Sequence, residues 1–115
     1  MAVVSGSVSF NAEWRVRSKD AASMIAALQL VQRHTRTQPG CETCQFTTEI
    51  GDVVRIRYQE RWDSEQSMQR QVRSGRFATL AELFERAIEQ PTVEFEVAGV
   101  VRGLDYAGDV RSTRH

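Results

Sequence analysis

Cys41 and Cys44 form a short motif whose residue types and spacing could support redox or metal chemistry. A C-x-x-C pair serves redox chemistry when it opens a helix, and it supplies half of a zinc site when a second pair of ligands exists. Here the pair follows Pro39-Gly40 and leads into a segment of strand character, where residues three apart point to opposite faces. The only histidines are His34 and His115. We therefore expect two reduced structural thiols and no metal site.

The positive charge of the chain is almost entirely arginine. Of 15 basic residues only Lys19 is a lysine, and 15 acidic residues bring the formal net charge to zero. A neutral chain has no global attraction to nucleic acid or to anionic lipid. Guanidinium groups hold carboxylates in fixed geometry, which favours ordered ion pairs. No targeting segment and no membrane span is visible, so we expect the protein to reside in the cytoplasm.

The elements that must position any site begin with a strand and a helix. The chain of 115 residues, 41% of them apolar, suits one domain. Ser7 to Val16 alternate strictly between apolar and polar residues, which predicts a half-buried strand. After Asp20 the period becomes helical and continues to the stop at Pro39-Gly40. Two further alternating runs, Cys41 to Ile50 and Val53 to Trp62, predict an antiparallel hairpin.

The second half of the chain adds two helices and a strand. Asp63 and Gln66 are typical of a capping box that opens a short helix. Another helix is predicted from Phe77 to Glu89, and a strand from Thr92 to Val101. The sequence predicts one domain over residues 1–103, followed by a tail over residues 104–115 that is partly disordered or reaches a partner subunit.

This order of elements predicts an α+β, ferredoxin-like fold, in which a four-stranded antiparallel sheet carries its helices on one face. The expected core comprises Phe10, Trp14, Ile25, Leu28, Phe46, Ile56, Phe84 and Phe95. The other face of the sheet is polar and comprises Ser7, Ser9, Asn11, Glu13, Arg15, Arg55, Arg57, Gln59, Arg61, Glu94 and Glu96. RNA-recognition domains of similar topology stack bases on aromatic residues of this face. The predicted polar face contains no aromatic residue, so we expect no nucleic-acid partner.

Four segments resemble one known family in order and spacing. They are Thr35-Arg36-Thr37-Gln38-Pro39-Gly40-Cys41, Tyr58-Gln59-Glu60-Arg61-Trp62, Asp63-Ser64-Glu65 and Ser74-Gly75-Arg76-Phe77. The family they resemble is that of the antibiotic biosynthesis monooxygenase (ABM) domains, of the dimeric α/β barrel class. The resemblance implies a homodimer through the open sheet face, to which the last strand contributes. Family members include oxygenases that use no cofactor, haem-degrading enzymes and enzymes of small metabolites.

Three positions depart from the pattern of the family. The histidine common on the short helix corresponds to Gln71, and a second histidine often found before the following phenylalanine corresponds to Arg76. The asparagine that haem-degrading relatives use corresponds to Ala12, while Asn11 has the wrong parity for the pocket side. A haem-iron ligand is therefore missing, and we expect no haem, other cofactor or metal.

The resemblance therefore favours a cofactor-independent monooxygenase that acts on a small planar phenol or quinol. Such a site needs an apolar box and one or two polar groups. The candidate substrate-binding residues are Trp14, Tyr58, Trp62, Met68, Gln71 and Phe77, and each of them could instead serve only the core or the surface. No general base is identified. The alternative is a non-catalytic, dimeric domain of the same fold that binds or senses a small molecule.

Overall fold

The sheet of the computed structural model, which describes residues 8–112, has five antiparallel strands. The strands are β1 (Val8–Arg17), β2 (Cys41–Glu49), β3 (Val53–Trp62), β4 (Thr92–Val97) and β5 (Val100–Arg102). They lie in the order β2-β3-β1-β4-β5, so the first strand of the sequence is central. The predicted α+β, ferredoxin-like class is confirmed, with a fifth strand added at one edge.

The helices of the described residues are α1 (Ala21–Arg36), α2 (Glu65–Val72), α3 (Gly75–Phe84) and α4 (Leu104–Ser112). Serine side chains begin two of them, because a serine hydroxyl can accept a hydrogen bond from a free backbone N–H of the first turn. Ser64 accepts from the Ser67 N–H at 3.1 Å, and Ser74 accepts from the Phe77 N–H at 3.4 Å. The predicted cap at Asp63 is wrong, because Ser64 is the N-cap of α2 and the Asp63 carboxylate instead accepts from the Ser67 hydroxyl at 2.8 Å.

The core lies between the sheet and the helices, on the face to which even-numbered residues of β1 and β3 point. Of the eight residues predicted for the core, six are buried; Ile25 and Phe46 are only half-buried. Aromatic rings meet at its centre, where Phe10 lies 4.7 Å from Phe95 and 5.6 Å from Phe77 between ring centroids. Edge-to-face and offset stacking of this kind adds to the free energy gained by burial.

Two predicted elements end earlier than their periodicity suggested. The helix α3 ends at Phe84, so Ile88, which falls within the predicted helix, is 48% exposed and its N–H donates to the Arg15 carbonyl at 2.8 Å. Ile50, the last residue of the predicted second strand, lies beyond β2 and is 71% exposed.

The predicted strand Thr92–Val101 is two strands joined by a tight turn. Ala98 and Gly99 have φ values of +52° and +85°, and β4 pairs with β5 on either side of them. Two consecutive residues of positive φ form the type of turn whose twist suits a two-residue hairpin. The pattern of alternation could not reveal this turn, because Val97, Val100 and Val101 continue the apolar run across it.

The segment after β5 is helical, although the sequence showed no periodicity there. Tyr106, Ala107 and Val110 of α4 are buried, and the Tyr106 ring lies 4.9 Å from that of Phe95. The Tyr106 hydroxyl also donates to Glu65 of α2 at 2.8 Å. Residues 104–112 are thus packed against their own domain; the residues expected to be disordered at the very end lie outside the described part.

The outer face of the sheet is polar, as predicted. Of the residues predicted for this face, Ser7 lies outside the described part of the chain. Glu13 lies 3.5 Å from Arg55 and 3.3 Å from Arg57, and Arg15 pairs with Glu89. These ion pairs are largely exposed, so each contributes little to stability. Among residues 8–112, no helix has the length and apolar character needed to cross a membrane.

Candidate functional site

Glu60 is a completely buried carboxylic acid in the part of the core next to α2. It lies on β3, where Ile56, Tyr58, Glu60 and Trp62 all point inward by the alternation of the strand. Its exposed fraction is 1%. Burying a carboxyl group without partners costs free energy, so its hydrogen bonds determine how the fold can accommodate it.

Three donors converge on the two oxygens of Glu60. Oε2 accepts from the Tyr58 hydroxyl at 2.6 Å and from the Gln71 amide Nε2 at 3.1 Å. Oε1 accepts from the Trp62 indole Nε1 at 2.9 Å. A carboxylate offers about four acceptor positions, two on each oxygen. Oε2 is therefore saturated, whereas Oε1 retains one free acceptor position beside the indole of Trp62.

Gln71 is held in one orientation by its own partners. Its amide nitrogen donates to the Thr35 hydroxyl at 3.0 Å, in addition to Glu60, and its oxygen accepts from Arg76 Nε at 2.9 Å. The guanidinium group fixes which end of the amide is the oxygen, because it can only donate. α1, β3, α2 and α3 thus each contribute a side chain to one polar network inside an apolar core.

The surroundings of this network raise the pKa of its acidic groups. Burial raises the pKa of Glu60 above its ordinary value of 4.5, while hydrogen bonds from Tyr58, Trp62 and Gln71 and the charge of Arg76 act in the opposite direction. Burial and the neighbouring Glu60 raise the pKa of Tyr58 as well, so its phenol stays protonated and donates. The arrangement can hold a proton on Glu60 or release it to a bound molecule.

Of the six candidate residues, three meet at Glu60. Tyr58, Trp62 and Gln71 form its hydrogen bonds, and all three are buried. Met68 and Phe77 are buried in α2 and α3. Among the described cavities, only one of about 420 Å³ has any of these five residues in its lining, namely Tyr58, which is itself 1% exposed. Glu60 lines none of the described cavities.

Trp14 lies elsewhere in the core. Trp14 of β1 pairs with Ile56 of β3. Trp62 of β3 pairs with Val8, which lies six residues before Trp14 on β1. The Trp14 ring stands at 75° to that of Phe84, with the centroids 4.9 Å apart. The indole N–H of Trp14 is buried and has no hydrogen-bond partner among residues 8–112. The structure does not bring Trp14 together with the other candidates.

Sequence reasoning missed Glu60, Thr35 and Arg76 as members of the site. Glu60 was assigned to neither face of the sheet, although its even number places it with Tyr58 and Trp62. The inward parity of an acidic residue was the signal that could have found it. No comparable signal existed for Thr35, because its burial and its hydrogen bond to Gln71 arise only in the tertiary structure.

The two cysteines point to the same face, contrary to the prediction. Cys41 pairs with Trp62 and Cys44 with Glu60, so both point inward. The cause is a β-bulge between Cys41 and Thr43, which inserts one extra residue and reverses the alternation. Both thiols are free, and no group of three or more His, Cys, Asp or Glu side chains in residues 8–112 could hold a metal ion.

The Cys44 thiol is in contact with the network. Its sulfur lies 3.2 Å from the Tyr58 hydroxyl oxygen, and burial raises the pKa of Cys44 to about 12. Burial also raises the pKa of Cys41. Thiols in such surroundings stay protonated and are poor nucleophiles.

A family model supports the resemblance seen in the sequence. The model named antibiotic biosynthesis monooxygenase matches residues 7–83, which include β1 to α2, all of α3 except its last residue, and the whole Glu60 network. No curated protein matches the chain.

Solved structures share the fold at low sequence identity. An antibiotic biosynthesis monooxygenase has a TM-score of 0.67 and 12% identity, over 77% of this chain and 95% of its own. A protein from Nitrosomonas europaea, provisionally assigned to the same group, has a TM-score of 0.69 and 10% identity, over 90% and 94%. An anthrone oxidase-like protein has a TM-score of 0.64 and 12% identity, over 90% of this chain but 49% of its own.

Proposed function

Because the chain belongs to the family of antibiotic biosynthesis monooxygenases, we propose that it oxidises a small planar phenol or quinol with molecular oxygen and without a cofactor. The observation that carries this proposal is the buried carboxyl group of Glu60, which supplies the general base that the sequence analysis lacked. The likeness to an anthrone oxidase-like protein is consistent with an aromatic substrate.

Glu60 Oε1 is the atom that takes the substrate proton. Its free acceptor position lies next to the indole of Trp62, so a planar ring stacked on that indole would direct its hydroxyl group to Oε1. A base is most effective when its pKa approaches the working pH, and burial moves the pKa of Glu60 in that direction. Met68, unbranched and flexible, is the buried side chain of α2 best suited to make room for the ring.

The reaction balances without a further reactant. A phenol and O₂ give a para-quinone and water, and the ring supplies all four electrons that reduce O₂. One oxygen atom becomes the new carbonyl group. The other leaves as water, with the phenolic proton returned by Glu60 and the hydrogen lost from the ring carbon. An enclosed, water-poor site favours this sequence because it protects the reactive intermediates.

The test measures oxygen consumption with a panel of phenols, hydroquinones and anthrone, and uses ¹⁸O₂ to find label in the product. We expect Glu60→Gln to lower kcat by roughly 10²–10⁴-fold, the usual contribution of a general base. Glu82→Gln, which removes an exposed carboxyl group of α3, is the matched control and should leave kcat unchanged. Equal activity of native protein and Glu60→Gln would rule out Glu60 as the base.

The second candidate function is a non-catalytic domain that binds a small molecule. Gln71 favours it, because an amide at the position of the common histidine can neither accept nor release a proton at neutral pH. Binding of a phenol without oxygen consumption by any member of the panel would support this function over the first.

The functional unit in this proposal is a homodimer through the outer sheet face, in the cytoplasm. Arg61 of β3 and Glu96 of β4 both lie opposite Ser9, one on each side of β1. A two-fold axis parallel to β1 would place β3 of one copy over β4 of the other at the same height, so Arg61 would face Glu96 twice by symmetry. Within the described residues neither side chain has a hydrogen bond or an ion pair, so both are available for a partner.

A further inference from the structure

We propose that a groove at the β2 edge is the entrance to the Glu60 site, and that Arg36 in this groove selects substrates that carry an anionic substituent on the ring. The groove has a volume of about 370 Å³ and is lined by Arg36, Cys41, Glu42, Thr43, Cys44 and Gln45. The inference rests on the function proposed above and names the substrate class more closely.

Two of the residues that line the groove are Cys41 and Cys44. Because the β-bulge between Cys41 and Thr43 reverses the alternation, both side chains point toward the core at this place. In a regular strand one of them would point away. Protonated thiols are polarisable, so the space between the groove and the core suits an aromatic ring better than an ion.

The groove is continuous with the proposed base through one side chain. Cys44 lines the groove, and its sulfur lies 3.2 Å from the Tyr58 hydroxyl oxygen. That hydroxyl donates to Glu60 Oε2 at 2.6 Å. Cys41 lies opposite Trp62 on the neighbouring strand. A ring that displaces the two thiols laterally would therefore reach Tyr58, Trp62 and the free position on Glu60 Oε1.

Arg36 is held at the mouth of the groove with its outer nitrogens free. Its Nε donates to the Cys44 carbonyl at 3.0 Å, and the same carbonyl accepts from Gln32 Nε2 at 3.1 Å. Within residues 8–112 the two terminal nitrogens of Arg36 form no hydrogen bond or ion pair. A guanidinium group fixed in this way can bind a carboxylate through two parallel hydrogen bonds.

The charge of the groove limits the ligand further. Glu42 also lines it, so the single cation of Arg36 stands beside one carboxylate and the groove has no excess positive charge. A substrate with one anionic substituent at one end and a hydroxyl group at the other fits this arrangement. Ligands with several anionic groups would be repelled by Glu42.

Binding is measured by calorimetry without oxygen, so that no turnover occurs. The probes are 2,5-dihydroxybenzoate and plain hydroquinone. We expect Arg36→Gln to weaken 2,5-dihydroxybenzoate about tenfold and hydroquinone less than twofold, the size expected for loss of one partly exposed charged hydrogen-bonding group. Arg36→Lys should recover part of the loss. Arg33→Gln removes the same charge from an exposed position one turn earlier in α1 and should change neither ligand.

A second measurement follows the thiol itself. The native protein is incubated with an excess of methyl methanethiosulfonate, and mass spectrometry gives the rate of labelling at Cys41, the more exposed of the two thiols. Each bound ligand should slow this labelling at least fivefold. Two results would contradict the proposed role of the groove and leave the proposed function intact. One is hydroquinone that binds without protecting Cys41; the other is an Arg36→Gln variant that keeps the native preference for the carboxylate ligand. If neither probe binds the native protein, the proposed substrate class is wrong, and so is the proposal that the groove admits it.

Discussion

At the scale of single residues, Glu60 decides what this region of the core can do. A leucine at this position would leave the inward face of β3 without a carboxyl group and would deprive Tyr58, Trp62 and Gln71 of their shared acceptor. The carboxyl group instead requires partners from α2 and from its own strand. Burying a carboxyl group and its partners costs free energy of desolvation. A role of the carboxyl group in acting on a ligand explains why the core contains it.

The raised pKa of Glu60 predicts a specific pH dependence of stability. A carboxyl group with a higher pKa in the folded state than in the unfolded state contributes stability that is complete below the unfolded value and is lost as the pH rises through the folded value. Glu60→Gln lacks this titration. We therefore expect the free energy of unfolding of the variant, relative to the native protein, to increase as the pH rises above about 4.5.

Urea unfolding at a series of pH values measures this difference. Glu82→Gln is again the control, because it removes an exposed carboxyl group outside the Glu60 network, and the pH dependence of Glu60→Gln is compared with that of this variant. A difference between Glu60→Gln and the native protein that does not change with pH would mean that the pKa of Glu60 is not raised by folding.

At the scale of elements, local patterns predicted the strands well and the irregular features poorly. Alternation identified β1, β2 and β3 because their apolar residues recur at every second position. It could not identify the β2 bulge or the turn at Ala98-Gly99, which depend on pairing with another strand. For the same reason it assigned Cys41 and Cys44 to opposite faces, and the entire groove was invisible in the sequence.

The helix α4 is the element whose contribution was underestimated. Its three buried residues cover Phe95 and the outer side of α2, so we expect a chain ending at Gly103 to lose roughly 2–4 kcal/mol of unfolding free energy, the value of a few buried apolar side chains. A chain ending at Ser112 is the control and should match the native protein. Thermal unfolding followed by circular dichroism distinguishes the two; an unchanged transition after removal of α4 would show that this helix is dispensable.

At the scale of the whole molecule, the outer sheet face is expected to be covered by a second copy. Arg61→Glu places two acidic residues opposite each other in the proposed dimer, and Glu96→Arg places two basic ones there. Either variant should shift light scattering at micromolar concentration toward the mass of one chain. The combination of both changes restores opposite charges and should restore the dimer, as expected for like-charge repulsion that is then removed.

Two further variants serve as comparisons. Arg57 already pairs with Glu13 of its own chain, so Arg57→Ala should affect association less than Arg61→Glu. A chain cut after Val101 tests whether the end of the chain contributes to the dimer. A native protein that is monomeric at these concentrations would contradict the proposed interface, and a dimer insensitive to both charge reversals would place the interface on another face.

The β-bulge makes Glu42 a supernumerary residue of β2. If Glu42 were deleted, Cys41 would still stand opposite Trp62 and Thr43 opposite Arg61, now in an unbroken ladder. We therefore expect the deletion to be tolerated, with a melting temperature within a few degrees of that of the native protein, whereas deletion of Thr47 should shift part of the strand by one position and destabilise the hairpin. The two cysteines of this C-x-x-C motif are three residues apart in the sequence but only two positions apart in the pairing with β3. Their relative orientation is therefore that of a C-x-C motif in a regular strand.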